Sequence, residues 1–211
     1  YEIKPLTTQE ISTLLHGCKG DKYEKLYTFV LFSGVRISEA LGLRWSCVDF
    51  ERGRVTINKQ LQKERKKGGG GTYSLYDTKT STTRTITLAA HVVDVLREVK
   101  KEQAQYRLMA GASWANDMNL VFTHEDGQHL CHSTVWACFK RLVKKLGFPE
   151  ARVHDLRHTF ATIALESGDD LKTVSQTLGH SKIGTTGDTY AHVTDRMKEQ
   201  SAARMDAFIR A

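Results

Sequence analysis

The chain has 211 residues, of which 31 are Lys or Arg and 24 are Asp or Glu, so its net charge is +7. Hydrophobic residues make up 40 % and charged residues 26 % of the chain, a composition that excludes a disordered protein, a collagen and a disulfide-rich miniprotein. The longest apolar run, near Phe29 to Phe32, is far shorter than the ~20 residues of a membrane-spanning helix. The excess of Lys and Arg favours a polyanionic partner, because these side chains neutralise phosphates.

Cysteine usage and the start of the chain bear on its compartment. The four cysteines form no C-x-x-C pair, which favours reduced thiols in a cytoplasmic protein. No charged and then apolar leader opens the chain, so we expect no secretory signal. The chain begins at Tyr1 rather than Met. We therefore expect a fragment or processed chain from which an N-terminal domain is absent.

The first third of the chain predicts three helices. Thr7 and Glu10 have the spacing of a capping box, and apolar residues follow them at helical intervals. A second apolar run, 26–32, ends at Gly34. A third helix then contains the apolar residues of 37–41.

A small sheet is expected next. Val55 and Ile57 alternate with polar residues, as in a strand, and 73–76 and 84–88 have the same character. Residues 61–71 are rich in Lys and Arg and end in four glycines, which predicts a flexible cationic loop. Together these segments predict a three-stranded antiparallel sheet.

Helical periodicity resumes at His91. It predicts helices over 91–109, from Ser133 to 146, over 155–167 and 170–178, and in a tail over 194–209. The fold class is therefore mainly α with a small three-stranded antiparallel sheet (α+β). We expect a single catalytic domain over 1–211, divided into a helical part, the sheet, a helical active-site part and a tail helix at 1–53, 54–88, 89–193 and 194–211.

One cluster of polar residues is unusual. His154, Arg157 and His158 lie at i, i+3 and i+4, so a helix places all three on one face. Such a cationic cluster needs a neutralising partner, which could be Asp155, a backbone carbonyl or a bound anion. The two histidines also have the spacing of a helical zinc pair, but position 155 is Asp, where a metalloprotease of this type requires Glu.

Five motifs in order resemble the tyrosine recombinases, the phage-integrase family. They are Gly-x-Arg-x-x-Glu at 34–39, Lys79 in a turn, His-x-x-Arg-His at 154–158, Leu-Gly-His at 178–180 and Tyr190. The resemblance spans the whole chain and is strongest to integrases of phages and conjugative transposons. It implies the fold of that family's catalytic domain, with the family's N-terminal DNA-binding domains absent from this chain.

The resemblance also implies a role for each matching residue. The scissile phosphate would be contacted by two arginines and two histidines, namely Arg36, Arg157, His154 and His180. Tyr190 would be the nucleophile and Lys79 would protonate the departing 5′ oxygen, with Arg84 as the nearest alternative. The implied activity is site-specific recombination of double-stranded DNA through a 3′-phosphotyrosine intermediate, with no cofactor and no metal ion.

Two other functions share this pattern. A type IB topoisomerase uses similar residue types but works alone, whereas a DNA-binding regulator of the same fold would be expected to lack Tyr190 or an arginine. All six positions are filled here, which favours the recombinase.

The tail has an apolar stripe that includes Met205, Phe208 and Ile209. Since the family commonly packs this segment on an adjacent protomer, we expect it to dock onto another copy of the chain on DNA, or to fold back in cis without DNA. We expect the protein in the cytoplasm of a bacterium, or derived from a phage, and associated with the nucleoid.

Overall fold

The structure, a computed structural model, describes residues 4–64, 71–78, 83–191 and 193, and also residues 202, 203, 205, 206, 208 and 209. The helices are α1 Thr8–Gly17, α2 Glu24–Ser33, α3 Ile37–Leu41, α4 Ala90–Ala110, α5 His132–Lys145, α6 Val153–Glu166, α7 Leu171–Leu178 and α8 Ile183–Thr189. The strands are β1 Val48–Asp49, β2 Arg54–Ile57, β3 Lys59–Lys63, β4 Tyr73–Asp77 and β5 Arg84–Thr87. In this part of the chain, no helix is long and apolar enough to cross a membrane.

Several helix starts follow from local capping. Thr7 caps α1, and its side chain and that of Glu10 exchange hydrogen bonds with each other's backbone N–H groups, which confirms the capping box. Asp170 caps α7 by accepting hydrogen bonds from two backbone N–H groups. The expected start of a helix at Ser133 is wrong, because α5 begins at His132 with Cys131 as the residue before it.

The predicted fold class is confirmed, but the sheet is built from other strands. The three-stranded antiparallel sheet has the order β1–β2–β5, whereas β4 pairs with β3 in a separate two-stranded sheet. Part of the expected cationic loop is therefore strand β3, whose Leu61 lies opposite Leu75. Consecutive segments joined by a short connection pair readily, so β4 takes β3 as its partner and β2 is left to pair with β5.

Two clusters of buried side chains meet at α6. The larger cluster lies between α2, α4, α5 and the β1–β2–β5 sheet and includes Phe29, Leu96 and Phe139, each fully buried. The smaller cluster lies between α6, α7 and α8. Helix α6 contributes Leu156 to the first cluster and Leu165 to the second. Each such buried side chain stabilises the fold by roughly 1.5–3 kcal/mol, so α6 is held firmly from both sides.

Helix α8 is an element that the periodicity of the sequence did not predict. It follows α7 after a short turn and ends at Tyr190, whose backbone N–H donates to the carbonyl of Thr186. Only Thr186 of this helix is fully buried, so the segment has too few apolar residues for a periodic pattern. Tertiary contact with α7 therefore decides that the segment is helical.

Candidate active site

Residues of four of the five motifs converge near the ends of helices α3, α6, α7 and α8. Arg36 immediately precedes α3, Arg157 lies in the first half of α6, His180 follows α7, and Tyr190 follows α8. Helix α6 is the centre of this arrangement, because it packs against both α2 and α7. The structure therefore brings together residues that are up to 154 positions apart in the chain.

Gly34 is required at the junction between α2 and α3. Its φ is +66°, which is the left-handed region, and a Cβ atom there would lie 2.3 Å from the ring of Phe160 on α6. A side chain at this position would push α6 away from the end of α2. The glycine thus lets α6 approach closely enough for its arginine to reach the carbonyl of Gly34.

Arg157 joins the two halves of the site. Its Nη1 donates to the carbonyl of Gly34 at 2.8 Å and its Nη2 to the carbonyl of Leu178 at 2.7 Å, while the side chain is almost fully buried. Burial and the positive charge of Arg36 lower the pKa of Arg157 to about 9, so the guanidinium is still charged at pH 7. The charge is fixed in place by uncharged partners and can act on an anion.

Arg36 is the more accessible arginine. Its side chain is 23 % exposed and donates from Nη1 to Oε1 of Glu39 at 3.0 Å. Burial alone would raise the pKa of Glu39, but hydrogen bonds and charge from Arg84, and then from Arg36, hold that pKa below its usual value. Arg36 is therefore oriented by a buried carboxylate while part of its guanidinium faces solvent.

His180 stands beside Arg157 and is tied to α8. Its Nε2 lies 3.1 Å from Nη2 of Arg157, and its Nδ1 lies 2.7 Å from Oγ1 of the buried Thr186. Burial, followed by the charges of Arg157 and Arg36, lowers the pKa of His180 to about 4. The imidazole is therefore neutral at pH 7 and can accept or donate a hydrogen bond without adding charge.

Tyr190 is buried, and its hydroxyl has one specific partner. The residue is 1 % exposed, and its oxygen lies 2.8 Å from Nδ1 of His158. Burial raises the pKa of Tyr190 to about 12, although the charge of Arg157 acts in the opposite direction. Burial and the neighbouring His154 lower the pKa of His158 to about 4, so both partners are uncharged at pH 7.

His154 lies on the solvent side of His158. It is exposed, and its ring lies edge-on to that of His158 with 4.8 Å between centroids. Desolvation on its inner side and the charge of Arg157 lower its pKa. His154 and His158 have the spacing of a helical zinc pair. The buried member of that pair, His158, is hydrogen-bonded to Tyr190 through Nδ1.

The predicted site residues have different outcomes. The structure brings Arg36, His154, Arg157, His180 and Tyr190 to one site, whereas Lys79 lies outside the described residues. Arg84, the alternative to Lys79, is buried in an ion pair with Glu39. Within the cationic cluster, Arg157 donates to two backbone carbonyls, and Asp155 accepts a hydrogen bond from the backbone N–H of Arg152 at the start of α6.

Two contacts of the site were not foreseen. Thr186 bonds to His180, and His158 bonds to the hydroxyl of Tyr190. The sequence placed His158 on the same helix face as His154 and Arg157, but it did not indicate the second contact. No pattern in the sequence pointed to the first, because it depends on how α8 docks.

The site and fold can be compared with known proteins. Residues 4–197 match the phage integrase family. The chain belongs to that family. It is 31 % identical to a tyrosine recombinase XerC-like protein of Caldanaerobacter subterraneus over 99 % of this chain and 55 % of the relative. It is 29 % identical to the tyrosine recombinase XerA of Thermococcus kodakarensis over 90 % of this chain and 58 % of that protein.

A solved structure of a family member has the same fold. The integrase of the transposon Tn1549, in complex with transposon right end DNA, superposes with a TM-score of 0.81 at 28 % sequence identity. The match covers 98 % of this chain and 67 % of that one. This phage integrase family chain spans little more than half the length of the curated relatives it matches.

Proposed function

We propose that this chain is the catalytic part of a site-specific DNA recombinase, which cleaves and rejoins DNA strands through a 3′-phosphotyrosine intermediate. The observation that carries the proposal is the convergence of Arg36, Arg157 and His180 beside a tyrosine that ends its own short helix. Membership of the phage integrase family and the likeness to a DNA-bound integrase support the same conclusion.

The residues suit the cleavage chemistry. The Tyr190 oxygen attacks the scissile phosphorus, and its proton passes to Nδ1 of His158, 2.8 Å away. The bond to the 5′ oxygen breaks, and that oxygen leaves with a proton. Negative charge grows on the non-bridging oxygens, where Arg36, Arg157 and His180 supply fixed donors. His154 contacts the same phosphate, and Lys79 is the proposed proton donor to the 5′ oxygen. Rejoining reverses these steps and needs no energy source, because the phosphotyrosine ester retains the energy of the broken bond.

The proposed partners are double-stranded DNA and other copies of the chain. The net charge of +7 favours contact with phosphates. Met205, Phe208 and Ile209 are 62 %, 81 % and 78 % exposed. We propose that this apolar stripe packs on a neighbouring protomer on DNA, in the nucleoid of a bacterial host.

Covalent capture tests the activity. The chain is incubated with a pool of nicked duplexes of randomised sequence, and strands that remain attached after denaturation are recovered and sequenced. We expect an adduct at Tyr190 with the selected duplex, and Tyr190→Phe should abolish it while DNA binding stays unchanged. EDTA should leave adduct formation intact, since the proposed stabilising charges belong to side chains.

The matched control is Tyr106→Phe, which changes a tyrosine on α4 that belongs to no motif. This variant should form adducts at the wild-type rate. Adducts that persist in Tyr190→Phe would show that another residue is the nucleophile, and no adduct from the whole pool would contradict the proposed function.

A further inference from the structure

Arg84 is a buried charged residue to which the proposed chemistry assigns no role. It lies on β5, and its side chain is 7 % exposed. Its Nη2 donates to Oε2 of Glu39 at 2.6 Å, its Nη1 to Oε1 of the same carboxylate at 3.2 Å, and its Nε to the carbonyl of Thr177 at 2.8 Å. The side chain thus connects the start of α3 with the last turn of α7.

The carboxylate of Glu39 is shared between two arginines. Its Oε1 accepts from Nη1 of both Arg36 and Arg84, and its Oε2 accepts from the backbone N–H of Arg36 and from Nη2 of Arg84. All four lone-pair directions of a carboxylate are therefore occupied. Arg84 pairs with both oxygens of Glu39 through its two Nη groups. Arg36 therefore needs to give Glu39 only one side-chain donor.

The other end of Arg84 reaches the turn that holds His180. A Cβ atom on Gly179 would lie 2.7 Å from Nη1 of Arg84, so the guanidinium packs directly against this turn. The carbonyl of Thr177 lies two residues before that glycine. One side chain therefore contacts both the carboxylate that orients Arg36 and the turn that leads to His180.

We propose that Arg84 is a positioning residue for the cleavage reaction, which acts through Glu39 to keep the guanidinium of Arg36 oriented and free to bind the scissile phosphate. The role rests on the proposed function. It differs from the role of proton donor, because the donors of Arg84 are turned to Glu39 and Thr177. Without Arg84, Arg36 is the sole counter-charge of a buried carboxylate and is drawn towards it.

A double-mutant cycle tests this coupling in the chain, with the duplex captured by Tyr190 as substrate. Arg84→Lys keeps the charge but loses the fork, so at saturating DNA we expect adduct formation about tenfold slower or more, with DNA affinity within about twofold. In a chain that already carries Arg36→Lys, adding Arg84→Lys should slow the reaction by less than about twofold further. The contact of Arg36 that Arg84 supports is already lost in that chain. Equal slowing in both backgrounds would show that Arg84 acts independently of Arg36 and overturn the proposal.

A second substrate separates positioning from proton transfer. When the bridging 5′ oxygen is replaced by sulfur, the leaving group needs no proton, so a variant that lacks the proton donor recovers its rate. We expect the Arg84→Lys defect to persist on this substrate. Recovery of the rate would assign Arg84 as the acid and overturn the positioning role.

Controls address folding and specificity. Arg97→Lys alters an exposed ion pair with Asp94 and should leave the rate unchanged. If Arg84→Lys melts below the assay temperature, Arg84→Gln keeps one amide donor for Glu39 but loses the fork and the charge, and we expect the same slowing. A wild-type rate in either folded variant overturns only the positioning role, whereas no Tyr190-dependent adduct in the wild-type chain overturns the proposed function as well.

Discussion

At the scale of single residues, the two arginines of the site contribute differently to the stability of the fold. Arg157 is almost fully buried and donates to the carbonyls of Gly34 and Leu178, whereas Arg36 is partly exposed and shares its carboxylate with Arg84. A residue that is built into the core cannot be removed without an effect on stability. Both arginines can still serve the same chemistry.

We expect Arg157→Ala to lower the free energy of unfolding by about 3 kcal/mol or more, because two buried carbonyls lose their donor. Arg36→Ala should cost about 1 kcal/mol or less, since Glu39 keeps Arg84 as its partner. Both substitutions should slow adduct formation by orders of magnitude. Urea unfolding of the two variants measures the difference, and equal stability losses would contradict this division.

The burial of His158 predicts a dependence of stability on pH. The pKa of His158 is lowered to about 4 in the folded chain, against an ordinary value of 6.5. The unfolded chain therefore binds the additional proton as the pH falls through 6.5, and the stabilisation is full above that pH and lost by about pH 4. The loss from this residue is on the order of 3 kcal/mol.

Urea unfolding at pH 7.5 and pH 5 checks this expectation. We expect the wild-type chain to lose more stability between the two pH values than His158→Asn does, because the variant has no proton to gain at this position. His16→Asn, which changes an exposed histidine on α1, should follow the wild type. If His158→Asn loses as much stability as the wild type, the titrating group is another one.

At the scale of elements, the site depends on how closely α6 approaches the end of α2. The fit is made by Gly34, where a Cβ atom would meet Phe160 at 2.3 Å. Gly20 has a similar left-handed φ of +75°, but nothing lies within 4 Å of its Cβ position. A substitution at Gly20 therefore tests backbone strain alone, whereas the same substitution at Gly34 tests strain and packing together.

We expect Gly20→Ala to cost about 1–2 kcal/mol, which is the strain of a left-handed alanine. Gly34→Ala should cost at least about 1 kcal/mol more, because α6 must also move away from α2. It should slow adduct formation as well, since the carbonyl that Arg157 contacts moves with the junction. Thermal unfolding and the capture assay measure both effects, and equal costs at the two glycines would contradict the packing argument.

At the scale of the whole molecule, the large apolar side chains of the tail that the structure describes are exposed. Met205, Phe208 and Ile209 are mostly exposed, whereas Val193 just before the tail is buried in the smaller cluster. An exposed apolar stripe is typical of a surface that another molecule covers.

Truncation after Glu199 should therefore leave the melting temperature unchanged and weaken cooperative assembly on paired DNA sites. Melting followed by fluorescence and gel-shift assays on one and two sites measure the two effects. A truncated chain that unfolds would show that the tail packs in cis. A truncated chain that assembles as well as the full one would show that the tail has no part in assembly.

The sequence by itself determined the fold class, the family resemblance and the identity of the residues that converge. Local rules were sufficient for the cap at Thr7, the helix stop at Gly34 and the shared face of His154 and Arg157, because each depends on neighbours within about four positions. The motifs predicted which residues carry function, because their order and spacing are specific. These features needed no knowledge of long-range contacts.

Only the tertiary structure decided which strands pair, that α8 is helical and what each polar group contacts. The pairing of β4 with β3, the bond from Thr186 to His180 and the ion pair of Arg84 with Glu39 join segments whose approach depends on packing elsewhere. Arg84 shows this most clearly. The sequence made Arg84 an alternative proton donor. In the structure its guanidinium is instead buried against the carboxylate of Glu39, 45 residues away in the chain.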